Sequence, residues 1–189
     1  MAELEDRLVG ILRQCPGLMR VLATVPGLDL PDWLVFSGAI YQPVLNHLSG
    51  RPLEEGLKDY DLGYFDASDT SYGAEDVIIK RVAATFDPPL REMVEVRNQA
   101  RVHLWFEDHF GEPYTALSSS AEALTRFVSP TFAVAVRPGA DDSLEVIAPF
   151  GLDDLFAMRL RPNPDRETPH FGRIAAKLKE RWPGLTVAP

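Results

Sequence analysis

Hydrophobic positions along the chain recur with two periods. Leu4, Leu8, Ile11 and Leu12 fall at helical spacing between Glu3 and Gln14, and Pro16 suits the first turn of a second short helix. These two helices are expected to cover one side of the molecule. Leu34-Val-Phe36 is a short apolar run that ends at Ser37-Gly38, and Ile40, Val44 and Leu48 then follow at four-residue spacing. The pattern predicts a strand, a turn of small residues and a helix to about Leu48. Lys58-Asp-Tyr-Asp-Leu-Gly-Tyr-Phe-Asp66 alternates in the strand period, with Tyr60, Leu62 and Tyr64 on one face and Asp59 and Asp61 on the other. Met93-Val-Glu-Val-Arg97 alternates likewise, placing Met93, Glu95 and Arg97 opposite Val94 and Val96. Between these strands Asp69, Thr70 and Ser71 offer N-caps for a helix carrying Val77, Ile78, Val82 and Phe86, stopped by Asp87-Pro88-Pro89.

The second half keeps the same grammar. Val102 to Phe110 reads as a helix, and Ser119-Ser-Ala-Glu122 is a capping box opening another to about Val128, with Pro130 at its exit. Thr131–Val136 and Leu144–Ala148 read as strands joined by a turn over 138–142. Asp153 and Asp154 precede an apolar run, which favours a capping role over a place in a cleft. A last helix from Thr168-Pro169 to about Trp182 carries Phe171, Ile174, Ala175, Leu178 and Trp182 on one stripe, a structural face. The order predicts an α+β fold, a small mixed β-sheet covered by helices. One domain over 1–189 is expected, with a helical cover at 1–30, a catalytic core at 33–110 and a sheet extension with the C-terminal helix at 111–189.

Composition narrows the partners. The formal net charge of -9 over 189 residues argues against a long nucleic acid, because no run of lysine and arginine offsets it. A nucleotide is not excluded, since a divalent cation supplies the neutralising charge. Cys15 is the single cysteine and cannot form an internal disulfide, which suits a reducing compartment. The opening residues Met-Ala-Glu-Leu-Glu-Asp lack the pattern of a signal peptide, and no apolar stretch reaches the ~20 residues that span a bilayer. A soluble, cytoplasmic protein with no membrane partner is expected; the oligomeric state is not legible.

Candidate chemistry gathers on the two alternating strands. Asp59 and Asp61 point together from one strand face, an arrangement of hard oxygen ligands suited to magnesium with phosphate oxygens completing its shell. The bland alternative is a pair of solvated acids beside a turn. Glu95 becomes a third carboxylate if its strand pairs beside theirs. Ser37-Gly38 at a helix start exposes backbone N–H groups and the positive end of the helix dipole, suited to a triphosphate, with the Ser37 hydroxyl as a further donor. Asn98, Gln99, Arg101 and His103 leave the Glu95 strand and are placed to orient a base, a ribose or a second substrate; alternatively Asn98 and Gln99 cap the next segment, Arg101 pairs with Asp66 or Asp69, and His103 is a satisfied buried histidine. Lys58, Arg97 and Arg101 are the basic residues nearest the acids, as phosphate partners or as ordinary ion pairs. His47, His109 and His170 lack partners at ligand spacing, so no zinc site is read. Trp105 and Phe106, near Phe110, read as core aromatics, with a stacking platform as the alternative.

Gly38-Ala39 before a helix, Asp59-Tyr60-Asp61 on a strand and Glu95 on a later strand resemble the signature of the DNA polymerase β-type nucleotidyltransferase superfamily. Ser37-Gly-Ala-Ile-Tyr-Gln-Pro-Val-Leu-Asn46, Lys58 to Asp66, Val94 to Trp105, Ala148-Pro-Phe-Gly-Leu-Asp-Asp-Leu-Phe156 and Arg161-Pro-Asn-Pro164 more specifically resemble a bacterial nucleotidyltransferase-like family, from about Trp33 onward. The resemblance implies transfer of a nucleoside monophosphate from a nucleoside triphosphate to a small-molecule or protein hydroxyl. It implies two magnesium ions, with manganese as substitute, held by the catalytic acids Asp59, Asp61 and Glu95 about 3.5–4 Å apart. Asp59 and Asp61 would share the metals, and Glu95 would bind the catalytic ion and serve as general base. Crowding of the three acids should raise at least one metal-free pKa. Ser37, Gly38, Ala39, Arg97, Asn98 and Arg101 would hold the nucleotide. Two features depart from the superfamily: Ala39 stands where glycine or serine is usual, and the gap to Asp59 is longer. A catalytically weak or silent nucleotide-binding protein on the same fold is therefore the alternative function. A metal-free hydrolase using Asp59 or Asp61 with Glu95 is a third, without a sugar-binding aromatic pattern to support it.

Overall fold

The computed structural model describes residues 2–166 and 168–188. Helices α1 (Ala2–Leu12) and α2 (Pro16–Thr24) open the chain, followed by strand β1 (Leu34–Phe36) and helix α3 (Gly38–Leu48). Strand β2 (Tyr60–Tyr64), helix α4 (Tyr72–Thr85), a single turn α5 (Leu90–Met93) and strand β3 (Val94–Asn98) complete the first half. The expected cap of α4 is in place, with Ser71 accepting from the Ala74 N–H at 3.2 Å.

Four strands join a further one in a five-stranded mixed sheet ordered β3-β2-β1, then β4 (Ala135–Pro138) and β5 (Leu144–Ile147). β2 and β3 run parallel and the other neighbours antiparallel. Val35, Leu62, Val96 and Val136 bury one sheet face against α1, α2 and α3, whose Leu8, Leu12, Leu18, Leu22, Ile40 and Val44 form the main core. The opposite face is covered over β1 and β4 alone, where Leu34, Phe36 and Ala135 pack under Leu124 and Phe127. The β2–β3 half of that face stays open, which is why polar residues alternate there.

Several predicted elements changed form. The segment read as one helix over Val102 to Phe110 is a 3₁₀ stretch, Gln99–Leu104, followed by the short helix α6 (Phe106–Phe110). The capping-box segment is 3₁₀ over Ala121–Arg126: Ser119 Oγ accepts from Glu122 N–H at 3.1 Å, but the Glu122 carboxylate turns to Ser118 instead of closing the box. Residues 130–132 are 3₁₀ and not strand. Asp153 and Asp154 do not cap helix α7 (Asp153–Phe156). They occupy its first turn, where the buried Asp154 pairs with Arg159 and Arg161, the latter at 2.6 Å. Strand β6 (Arg159–Leu160) and β7 (Thr186–Val187) form a small second sheet flanking α8 (Phe171–Arg181). No single helix among the described residues is long and apolar enough to cross a membrane.

The long interval between Gly38 and Asp59 is a built structure. It holds all of α3 and a loop over 50–57 fastened by Asn46, whose Nδ2 donates to Leu53 O at 2.8 Å and Glu55 O at 3.1 Å. Asn46 Oδ1 accepts from the fully buried Trp182 indole at 2.9 Å, and Arg181 donates to the carbonyls of Glu55 and Gly56. Glu54 turns back to accept from Gly17 and Leu18 N–H at the start of α2 and from the Tyr60 hydroxyl at 2.7 Å.

Candidate active site

Strand register puts the predicted acids side by side. Phe36 pairs with Asp61 across β1–β2, and Asp61 pairs with Glu95 across β2–β3, so all three stand in one row on the same sheet face. Asp59 precedes β2 by one residue and lies on that face by the two-residue period. Gly63 and Arg97 form the next row. The ideal Cβ position of Gly63 lies 2.5 Å from Phe36 Cε1, so only a glycine there lets the Phe36 ring lie flat beside the acids.

Electrostatics reflect the crowding. The Asp61 carboxyl is pushed up to about 7, first by burial and then by the charges of Asp59 and Glu95, with Arg97 opposing. Three carboxylates crowded on one sheet face, one of them with its pKa raised to about 7, are a donor set that a hard divalent cation relieves. Among the described residues no three acidic, histidine or cysteine side chains enclose a single point, so phosphate or water oxygens would supply the remaining ligands of such an ion.

The β1 side of the acids is the start of α3. Ser37 holds φ 62° and ψ -126°, a left-handed backbone that costs a non-glycine residue about 1–3 kcal/mol and recurs where function holds it. Its N–H donates to Val134 O at 3.2 Å and its carbonyl accepts from Ile40 and Tyr41. The first-turn N–H groups of Gly38 and Ala39 have no acceptor within the helix. The Ala39 methyl, however, is wholly buried in the main core, so position 39 offers its backbone alone. A hydroxyl there would face the core and not a phosphate.

Two polar side chains outside the predicted site residues, Gln42 and Arg181, stand at this end. Gln42 lies one turn beyond Gly38, and its Nε2 sits 2.7 Å from the ideal Cβ position of Gly38, with Asp59 Oδ1 at 4.0 Å from the same point. Arg181 donates to Gln42 Oε1 at 2.7 Å, which leaves the amide N–H groups directed toward Gly38. Tyr41 is close enough to Asp59 and Asp61 for their charges to bear on its hydroxyl, although burial is the main cause that pushes it up to about 12. The i to i+4 spacing of Gly38 and Gln42 was a signal available in the sequence; nothing local marks Arg181, whose helix was read as structural.

Beyond β3 the predicted residues divide. Arg97 lies on the acid face, donates to Val96 O at 2.9 Å and forms no ion pair among the described residues. Asn98 is buried on the strand face opposite Glu95: its Oδ1 accepts from Asp66 and Ala100 N–H and its Nδ2 donates to Asp66 O, so it caps the next turn and is turned away from the acids. Arg101 pairs with the buried Glu75, not with Asp66 or Asp69, and donates to Thr70 O at 3.1 Å. Glu75 also accepts from Asn98 N–H at 2.8 Å, tying α4 to the end of β3. His103 is not a satisfied histidine, since its buried Nδ1 has no partner. Phe110 is exposed and not in the core, while Trp105 and Phe106 are half-buried.

A cavity of about 690 Å³ opens on this β3 side, with Asp61, Glu95, Arg97 and Arg101 on its polar wall. Glu75, Tyr72, Ile79, Trp105, His109 and Phe110 line the remainder.

No curated protein matches the chain by sequence. A solved structure described as an NMR structure that reveals a CCA-adding enzyme head domain matches with a TM-score of 0.76 and 24% identity, over 97% of this chain and 95% of that one. That likeness establishes a shared fold. A nucleotidyltransferase family model matches residues 23–187, which takes in the Ser37-Gly38 turn, the three acids and the C-terminal helix. On that match the chain belongs to the nucleotidyltransferase family and is a nucleotidyltransferase.

Proposed function

We propose that this enzyme transfers a nucleoside monophosphate from a nucleoside triphosphate to the hydroxyl of an acceptor, at Asp59, Asp61 and Glu95. The observation that carries the reading is the register pairing of Asp61 with Glu95 on an open sheet face, beside an Asp61 pKa raised first by burial and then by the charges of Asp59 and Glu95. The triphosphate lies against the start of α3, where the Gly38 and Ala39 N–H groups, the Ser37 hydroxyl and the Gln42 amide donate to its oxygens and Arg181 orients Gln42. Arg97 adds positive charge on the far side. Asp59, Asp61 and Glu95 would hold magnesium, two ions in all with manganese as substitute, which would supply positive charge at the reacting phosphate. The acceptor oxygen bonds the α-phosphorus while the bond from that phosphorus to the oxygen bridging to the β-phosphate breaks. Pyrophosphate leaves with that electron pair, and the hydroxyl proton passes to Glu95. A cytoplasmic setting and a substrate other than long nucleic acid accord with the net charge of -9 and the lone buried Cys15.

The test is incubation with each of the four ribonucleoside triphosphates and magnesium, comparing the native chain with Asp59→Asn/Asp61→Asn for triphosphate binding and pyrophosphate release. Binding that requires both metal and acids supports the reading. Folded protein that binds none of the four, or binds equally without the acids, refutes it.

A further inference from the structure

We infer that the 690 Å³ cavity on the β3 side is the acceptor site and that it takes a hydroxyl compound with a planar, largely apolar body. This rests on the nucleotidyl-transfer reading and adds the substrate class to it. Position is the first argument. The start of α3, Asp61 and Glu95 follow one another across β1, β2 and β3, and the cavity is lined by Asp61 and Glu95 but by neither Ser37 nor Gly38. In-line displacement puts the entering oxygen opposite the leaving pyrophosphate. With the pyrophosphate at α3, the entering hydroxyl comes from the β3 side, into which this cavity opens.

The walls are the second argument. Its volume lies within the ~300–1,000 Å³ typical of small-molecule sites. Tyr72 and Phe110 are 65% and 53% exposed, two of only five large hydrophobic residues so exposed among those described, and both line the cavity. Rings left in water gain little from folding, and two of them on one cavity give it an apolar wall that a ligand can cover. These rings are also held in place: Phe110 packs at 4.6 Å from both Phe106 and His109, and the Arg101 guanidinium lies 5.6 Å from the Tyr72 ring. Preorganised rings suit stacking on a planar group. Charge on the walls is largely internal, because Glu75 and Arg101 neutralise each other. A sugar or polyamine would therefore meet few free polar partners beyond the catalytic acids, Arg97 and His109.

The experiment uses ¹⁵N-labelled full-length protein with magnesium, following the Trp105 indole N–H resonance, assigned by its loss in Trp105→Phe. Adenosine and N-acetyltyrosinamide serve as planar hydroxyl probes, and glucose and serine amide as non-planar ones. Each is tested for binding, and then for uptake of label from α-labelled triphosphates. The inference requires saturable shifts with at least one planar probe, weakened about tenfold or more in Phe110→Ala or Tyr72→Ala, as expected for loss of a stacking ring. It also requires label to pass to planar compounds in preference to glucose and serine amide. Equal shifts by glucose, or no shift by either planar probe, would overturn it. So would loss of triphosphate affinity in Phe110→Ala without any acceptor, since the cavity would then hold the base. Triphosphate binding that ignores Asp61→Asn and Glu95→Gln would instead refute the transfer reading, an outcome read separately from the planar probes.

Discussion

Arg181 reaches 139 residues back along the chain to donate to Gln42 Oε1 at 2.7 Å, and this contact fixes which end of the Gln42 amide meets the start of α3. The oxygen is spent on the guanidinium, so the nitrogen faces Gly38. Gln42→Glu separates structure from binding. A carboxylate at 42 still accepts from Arg181, now as an ion pair, so thermal stability should be unchanged or higher. The same carboxylate brings negative charge beside Asp59 and removes two N–H donors. Triphosphate affinity should fall at least about tenfold, the scale of a lost charge-assisted hydrogen bond plus repulsion. Calorimetric titration with a non-hydrolysable triphosphate, beside a thermal melt, checks both; unchanged affinity would remove Gln42 from the site.

Gly38→Ala probes the same spot from the backbone side. An added Cβ would stand 2.7 Å from Gln42 Nε2, the mobile end of a flexible side chain, so the fold accommodates it by moving the amide. Alanine is also the better helix former, by up to about 1 kcal/mol. Stability should therefore hold or rise slightly while triphosphate affinity drops several-fold. A coupled loss of stability and affinity would point to general damage instead.

These residues also mark what the sequence could and could not disclose. Alternation in Asp59-Tyr60-Asp61 and in Val94-Glu95-Val96-Arg97 carried the acid face, because a period of two is a local property of strands. The bond between β2 and β3 that makes Glu95 a neighbour of Asp61 is not local, and only the resemblance to a known family supplied it. The resemblance puts Ala39 among the residues holding the nucleotide, but position in a motif does not say which way a side chain turns; in the fold its methyl is in the core, which leaves its backbone N–H for that role. For Asn98 the sequence leaves a nucleotide contact and a cap side by side, and its three hydrogen bonds to residues 66 and 100 favour the cap, in a turn that no periodicity announces. Arg181 sat on an amphipathic helix whose stripe explained everything else about it.

Gly63 is predicted to be intolerant of any side chain. A Cβ there would meet Phe36 Cε1 at 2.5 Å, Cζ at 2.8 Å and Gln99 Cγ at 3.2 Å, and the Phe36 ring is buried against Phe127 in an edge contact with centroids 5.7 Å apart. Unlike the Gln42 amide, this ring is a rigid body packed in a core cluster with Leu34, Leu124 and Ala135, so it yields less readily than the end of a flexible chain. Gly63→Ala should cost about 1–3 kcal/mol, the usual penalty of overpacking. Urea unfolding measures it. The double variant Gly63→Ala/Phe36→Leu should recover part of the loss if the Phe36 contact is its cause.

The raised Asp61 pKa makes a prediction about pH. In metal-free protein the folded carboxyl titrates near 7, against about 3.8 ordinarily, so folding disfavours its ionised form. Below pH 4 the group is protonated in both states and no penalty exists. Between about pH 4 and 7 the unfolded chain ionises while the folded one holds its proton, and the penalty grows; above 7 it is complete. Stability of chelator-treated protein should thus fall as pH rises through this window, by about 1–3 kcal/mol from this group after allowing for its partial contact with water. Asp61→Asn should flatten that slope and be the more stable form at pH 8. Magnesium added at pH 6 should displace a proton from the native chain but not from the variant, which unbuffered calorimetry or a pH indicator would detect. Equal slopes in the two proteins would show that Asp61 is not the strained carboxyl of the cluster.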